Sequence, residues 1–307
     1  MRACRVLDEA CDEVLVVGKA RELAELPLAV LDDGAPSRAP VHGVVEGLRR
    51  ARHDVVVVLP VDVPLVTPGA LRALGEAGAV PSGSIPLPGA YPRSLLPTLE
   101  ERVARDVFSL RGVNEVTLPL PARLLVDVDT PQALAELERP GHVVVIGGTG
   151  MLADATRALA ERGHVVTSIA RRPAELGPSV ISVALDYREV GEVRRALEES
   201  VAERGPLELA LCWVHTDAPH VPSVVAAALH PGGRLVQVFG TRVWPLDPVP
   251  LHIAYRRVLL GSAEGRWLTH AEISSGALHA IDSDLPLSVV GERRELMSGR
   301  SRPPASG

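Results

Sequence analysis

Short apolar runs rich in valine alternate along the whole chain with segments whose apolar residues recur every three or four positions. That alternation is the pattern of parallel strands joined by crossover helices, and it predicts an α/β fold of doubly wound parallel sheets. In the first half, strands are expected over 13–18, 26–31 and 54–60, with a further one near 84–88. Helices are expected over 41–52, 67–77, 92–104 and 130–138, the last with Thr130 as cap and Pro131 in its first turn. Pro140 and Gly141 then punctuate the chain, and the pattern restarts with HVVVIGG at residue 142. The second half predicts strands over 142–147, 164–170, 180–185, 207–214, 234–239, 255–262 and 286–290. A helix over 188–204 carries Val190, Val193, Leu197 and Val201 on one face. Thr269 and Glu272 form a capping box ahead of a helix whose Ile273, Ala277, Leu278 and Ile281 share a side. The expectation is of two domains, 1–139 and 140–297, the second a Rossmann fold. The tail 298–307, SGRSRPPASG, has nothing to bury and is expected to be disordered.

Composition narrows the function. The chain has 307 residues, 46% apolar and 23% charged, with a formal net charge of −6. No basic stripe interleaved with aromatics is present, so nucleic acid is set aside as a partner. Arg2, Arg5, Asp8, Glu9, Asp12 and Glu13 interrupt any export signal, and the longest apolar run, 55–66, is broken by prolines and an acid. A cytoplasmic protein that meets no membrane is expected. Cys4, Cys11 and Cys212 form no C-x-x-C, and the ten histidines contain no H-E-x-x-H, so neither a disulfide frame nor a helical zinc site is indicated. Lys19 is the single lysine among 32 basic side chains, and any chemistry needing a lysine elsewhere is excluded.

The most informative stretch is HVVVIGGTGMLADATRALAERGH, where a strand runs into glycines and then a helix. Gly147 and Gly150 can bring backbone N–H groups to a pyrophosphate with no Cβ in the way, and the helix start favours negative charge. Gly147, Gly148, Thr149, Gly150, Met151 and Leu152 are thus the candidate diphosphate cradle, against the alternative of an empty strand-to-helix turn. After the next strand stand Ala170, Arg171 and Arg172, where an acid would grip a ribose 2′-hydroxyl. Two cations suit a 2′-phosphate, so NADP is favoured over NAD, unless the arginines are merely solvated loop charge. Asp186 either accepts from the adenine amino group or caps the following helix. For acid–base chemistry the candidates are His215, whose ordinary pKa lies near neutrality, with Tyr255 and Thr241 behind it.

GGTGMLA at 147–153, ARR at 170–172, Asp186 and GGRLVQVFG at 232–240 resemble the short-chain dehydrogenase/reductase superfamily over about 142–290. The resemblance implies a Rossmann fold, a nicotinamide cofactor and a tyrosine four residues before a lysine. Here Leu259 stands four residues after Tyr255, and CWVHTDAP replaces the superfamily's N-N-A-G.

The first half is similar to the molybdenum cofactor guanylyltransferase family. LDEACDEVLVVG at 7–18, APVHGVVEGL at 39–48, LPVDVPLV at 59–66, PLPGAYPRSLLPTLE at 86–100 and LLVDVDTPQAL at 124–134 follow its motifs in order. The resemblance implies that Asp62 holds a Mg²⁺ bridging nucleotide phosphates, with Asp127 and Asp129 as weaker ligands, whereas the alternative for Asp62 is local turn bonding. The family opens with a strand and a glycine-rich triphosphate loop that has no counterpart in residues 1–12. The expectation is therefore no nucleotidyl transfer from the chain as written, or a start upstream of Met1, and an open sheet edge that invites homodimerisation.

Three readings stand: an NADP-binding oxidoreductase acting on a small molecule, fused to an inactive nucleotidyltransferase-like half; a molybdenum cofactor guanylyltransferase using Mg²⁺; and a non-catalytic dinucleotide-binding or interaction protein.

Overall fold

A computed structural model describes residues 2–25, 27–83, 85–240 and 242–292. Contacts divide the chain into two units: Met1–Arg139 with Leu229–Arg234 and Pro248–Ala254, and Pro140–Ala228 with Leu235–Asp247 and Tyr255–Gly307. Two short segments of the second half of the sequence thus count with the first unit.

In the first unit, helices Pro40–Arg50 and Pro68–Ala77 each place a proline in their first turn. Thr67 caps the second by accepting from Ala70 N at 3.2 Å, a bond of about 1 kcal/mol, and its hydroxyl donates to the Leu251 carbonyl. Gly78 ends that helix in the left-handed conformation that favours glycine, φ 59°. Val41, Val44 and Leu48 of the first helix pack with Tyr91 and Leu99, and Ala70 and Leu71 of the other pack with Val6 and Leu124. The class is α/β, but the described strands form separate pairs. Val16–Gly18 runs parallel to Val30–Asp32, Val55–Val58 antiparallel to Gly89–Pro92, and Val80–Pro81 parallel to Thr117–Leu118. The strand expected near 84–88 does not form in its described residues. Pro86 and Pro88 have no N–H to donate, so pairing falls to the flanking Val80–Pro81 and Gly89–Pro92. Ser84 lies outside the described residues.

The second unit is organised by one seven-stranded sheet. In chain order its strands are β1 (His142–Ile146), β2 (Val165–Ala170), β3 (Val180–Ala184), β4 (Leu207–Trp213), β5 (Leu229–Phe239), β6 (Ala254–Leu260) and β7 (Leu287–Val290). They lie side by side in the order β3-β2-β1-β4-β5-β6-β7, and β1 pairs parallel with both β2 and β4. The order reverses between β1 and β4, which is the Rossmann arrangement and places a crevice outside those strand ends. All five residues of β1 are buried, as a strand covered on both faces requires. The 188–204 pattern forms the helix Val190–Arg204, burying Val193, Leu197 and Ser200 while Val190 and Val201 stay half-buried. The capping box forms: Thr269 Oγ1 accepts from Glu272 N at 3.2 Å and Glu272 Oε2 accepts from Thr269 N at 2.7 Å. Strand β5 begins five residues before the expected 234, because Pro231, Gly232 and Gly233 conceal it in the sequence. The tail expected over 298–307 lies outside the described residues. No helix among those described is long and apolar enough to cross a membrane.

A polar cluster is buried at the start of β1. His142 Nδ1 lies 3.1 Å from the Gly205 carbonyl, and Nε2 lies 2.9 Å from Ser200 Oγ and 3.1 Å from Thr167 Oγ1. The carbonyl requires a proton on Nδ1, which leaves Nε2 an acceptor for one hydroxyl. Burial, aided by Arg204 and opposed by the Gly205 bond, lowers the imidazole pKa below its ordinary value. The unfolded chain takes up this proton first, so the contribution to stability is complete above the ordinary histidine pKa of about 6.5 and is lost as pH falls. Urea unfolding at pH 7.5 and 5.5 should show a larger drop in midpoint for the native chain than for His142→Gln. Equal drops would remove His142 from the account.

Candidate functional site

The turn from β1 into the helix Ala153–Glu161 is shaped by what it excludes. Gly147 adopts φ 79°, and a Cβ there would lie 2.7 Å from the Trp213 carbonyl oxygen. A Cβ on Gly148 would lie 2.5 Å from Ser168 Oγ and 2.9 Å from Thr156 Oγ1. Both positions therefore admit only glycine without movement of neighbours. At Gly150, by contrast, a Cβ would meet nothing within 4 Å. The turn is braced on its inner side: Gly147 N donates to the Ile169 carbonyl at 2.8 Å, and Ser274 Oγ donates to the Met151 carbonyl at 2.8 Å. Leu152 is fully buried, Thr149 and Met151 half-buried, and Gly150 exposed. The helix that follows has no side-chain cap; the N–H of Ala153, its first residue, donates to the Gly150 carbonyl at 3.0 Å. Asp154 in its first turn is engaged by Arg157 at 2.6 Å.

Residues that follow β2, β3 and β4 meet one another. Ala170 ends β2 buried, and its carbonyl accepts from Leu185 N at 3.2 Å. Arg171 and Arg172 are exposed beyond it, with the Arg171 guanidinium 5.7 Å from the ring centroid of Tyr187. Tyr187 is buried and bonds through its hydroxyl to the His215 backbone; burial, first, raises its pKa, against the pull of Arg171. Asp186 is clamped by Arg188, whose Nε lies 3.0 Å from both carboxylate oxygens, and this guanidinium lowers its pKa to about 2. Its oxygens serve Arg188 and the Arg188 backbone amide, so they are committed within the chain. The same guanidinium comes within 3.7 Å of Asp217. Arg188 thus ties the end of β3 to the loop after β4, where His215 stands exposed with its ring edge-on to Trp213, 6.1 Å between centroids.

Two other candidates stand elsewhere, and a third cannot be placed. The Tyr255 hydroxyl, on β6, donates to Gln237 Oε1 at 2.7 Å and accepts from Leu246 N at 3.0 Å. Burial pushes its pKa up to about 12, which opposes proton transfer near neutrality. Thr241 lies outside the described residues. Asp62, in the first unit, is half-buried after the strand Val55–Val58, and its carbonyl accepts from Val128 N at 2.8 Å. Among the described residues no three His, Cys, Asp or Glu side chains gather to hold a metal ion. A Mg²⁺ at Asp62 would therefore depend on phosphate oxygens for most of its shell. Sequence reasoning did not single out Tyr187 or Trp213; the only signal for either was its place at a strand end.

Residues 1–124 match the family described as the MobA-like NTP transferase domain. A probable molybdenum cofactor guanylyltransferase from Chloroflexus aggregans is 32% identical over 99 residues, covering 32% of this chain and 48% of that protein. A molybdenum cofactor guanylyltransferase from Pseudomonas putida is 33% identical over 119 residues, covering 35% of this chain and 62% of that protein. The chain thus spans about half to two thirds of the length of these relatives. Among solved structures, a short-chain dehydrogenase/reductase from Serratia marcescens aligns with TM-score 0.40 and 16% identity, covering 48% of this chain and 95% of that one. A metagenomic short-chain oxidoreductase in complex with NADP aligns with TM-score 0.40 and 14% identity, covering 51% and 98%.

The glycine geometry separates packing from binding. Gly148→Ala should destabilise the protein by about 1–3 kcal/mol, because its methyl must displace Ser168 or Thr156. Gly150→Ala should leave the urea midpoint unchanged. Equal effects of the two substitutions would contradict the geometry.

Proposed function

We propose that the second unit binds a nicotinamide dinucleotide, NADP in preference to NAD, and that the protein is an oxidoreductase acting on a small molecule. The observation that carries this reading is the β1 turn: two glycines with no room for side chains, an open position at Gly150, and an uncapped helix start where the strand order reverses. The cradle fits a diphosphate, held by the backbone over Gly147, Gly148, Thr149, Gly150, Met151 and Leu152. Arg171 and Arg172, exposed after β2, would hold the 2′-phosphate, with Tyr187 as the floor beneath Arg171. No acid stands beside them after β2 to select a free ribose hydroxyl, and Asp186, after β3, is paired with Arg188. The bound cofactor would supply a hydride or accept one.

Proton handling in this reading falls to His215. It is exposed beyond β4, and the alternative phenol, Tyr255, is committed at both lone pair and proton. The unit contains no lysine to lower a tyrosine pKa, since Lys19 belongs to the first unit. A second reading, favoured by the family match over 1–124, is nucleotide handling by the first unit, with Asp62 holding Mg²⁺ through substrate phosphates. It corresponds to a molybdenum cofactor guanylyltransferase activity.

All three tryptophans, Trp213, Trp244 and Trp267, lie in the second unit, and Trp213 abuts Gly147. NADPH should therefore quench tryptophan fluorescence saturably, with at least about tenfold tighter binding than NADH, a difference of about 1.4 kcal/mol. Arg171→Ala should remove most of that preference, and His215→Ala should leave both affinities unchanged. No saturable change at submillimolar NADPH would overturn the reading.

A further inference from the structure

In the second unit, two indoles converge on one glycine. Trp213 ends β4 half-buried, and its ring borders two glycines at once. Its Cδ1 would lie 3.4 Å from a Cβ on Gly147, at the diphosphate turn, and its Cη2 would lie 3.3 Å from a Cβ on Gly240, just past β5. The Cη2 of Trp267 would lie 3.8 Å from that same Cβ. Gly240 is only half-buried, so the point where the two tips meet is open to solvent. The His215 ring stands edge-on to Trp213 beside it, with 6.1 Å between centroids.

Trp267 is held firmly, yet its ring is left uncovered. It sits on a hairpin that follows β6, Ser262–Ala263 antiparallel to Arg266–Trp267. The two-residue loop has Glu264 at φ 49° and Gly265 at φ 80°, the left-handed pair of a type I′ turn. Arg266 donates to both carboxylate oxygens of Glu272 at 2.8 and 2.9 Å. Ser262 exchanges backbone hydrogen bonds with Glu292 at 2.9 and 2.6 Å. On this fixed support Trp267 remains 48% exposed. A lone exposed tryptophan needs no explanation, but aromatic residues make up only 3% of the chain, and two of its three tryptophans meet here beside the acid–base candidate.

We propose that Trp213 and Trp267 hold a flat aromatic ring over Gly240, and that the substrate is a small molecule whose reacting carbonyl or alcohol carbon is attached to such a ring. The proposal rests on the oxidoreductase reading above and names its substrate class. Indoles attract another aromatic ring through offset or edge contacts beyond what buried area supplies, whereas a saturated ring of the same size gains area alone. Because one indole borders both Gly147 and Gly240, a ring seated there stands next to the dinucleotide turn and to His215. The absence of a side chain at Gly240 keeps the meeting point clear for it.

The test uses the full chain labelled with nitrogen-15 and two ketones of matched size, acetophenone and cyclohexyl methyl ketone, of which only the first is aromatic. The indole N–H resonances of Trp213 and Trp267, assigned from Trp213→Phe and Trp267→Leu, should shift saturably with acetophenone. Acetophenone should bind at least about fivefold more tightly than cyclohexyl methyl ketone. Trp267→Leu should equalise the two ketones while leaving the unfolding midpoint and the NADPH affinity unchanged, and Trp267→Tyr should keep the preference. Absence of saturable binding, equal affinity for the two ketones, shifts confined to Trp244, or a preference that survives Trp267→Leu would each overturn the proposal. Titrating the same sample with NADPH separates it from the reading on which it rests. NADPH binding without a ketone preference would overturn the aromatic class alone. A ketone preference without NADPH binding would overturn the oxidoreductase reading and leave the aromatic-ring site standing.

Discussion

The second unit depends on a steric constraint at the end of its central strand. At Gly147 and Gly148 a single methyl would collide with the Trp213 carbonyl oxygen or with the hydroxyls of Ser168 and Thr156. Because nothing but backbone fits, β1 can turn tightly against β4 and hand over to the helix Ala153–Glu161, whose start has no side-chain cap. Ser274, from the last helix, fixes the Met151 carbonyl and so holds the turn from behind. The residues around the crevice are then placed by the sheet order: Arg171 after β2, Asp186 and Tyr187 after β3, His215 after β4.

In the first unit the constraint is of the opposite kind. Thr67 and Thr130 cap two of its helices and apolar clusters are buried, yet its described strands are two to four residues long and paired singly. A cavity of about 870 Å³ lined in part by Val55–Val58 and Asp62 lies in this part of the chain, whose first 124 residues match the MobA-like NTP transferase domain.

Much of this was legible in the sequence, for identifiable reasons. β1 and the glycine turn were readable because a buried parallel strand must be a continuous apolar run and its exit must be glycine. The capping box at Thr269 and Glu272 was readable because it is a local hydrogen-bond exchange. Strand β5 was read short because Pro231 and the two glycines after it break the pattern while the backbone stays extended. The clamp of Arg188 on Asp186 and Asp217, the floor formed by Tyr187, and the double engagement of the Tyr255 hydroxyl were not legible. Each depends on which strand ends are neighbours in space, and no spacing along the chain encodes that.

The central claim is that backbone amides at the β1 turn grip a dinucleotide diphosphate. A crystal structure of the chain grown with NADPH tests it most directly. The account predicts diphosphate oxygens within about 2.7–3.2 Å of amide nitrogens between Gly148 and Leu152, with the 2′-phosphate against Arg171. A coenzyme bound away from this turn, or a helix start covered by another part of the chain, would contradict it.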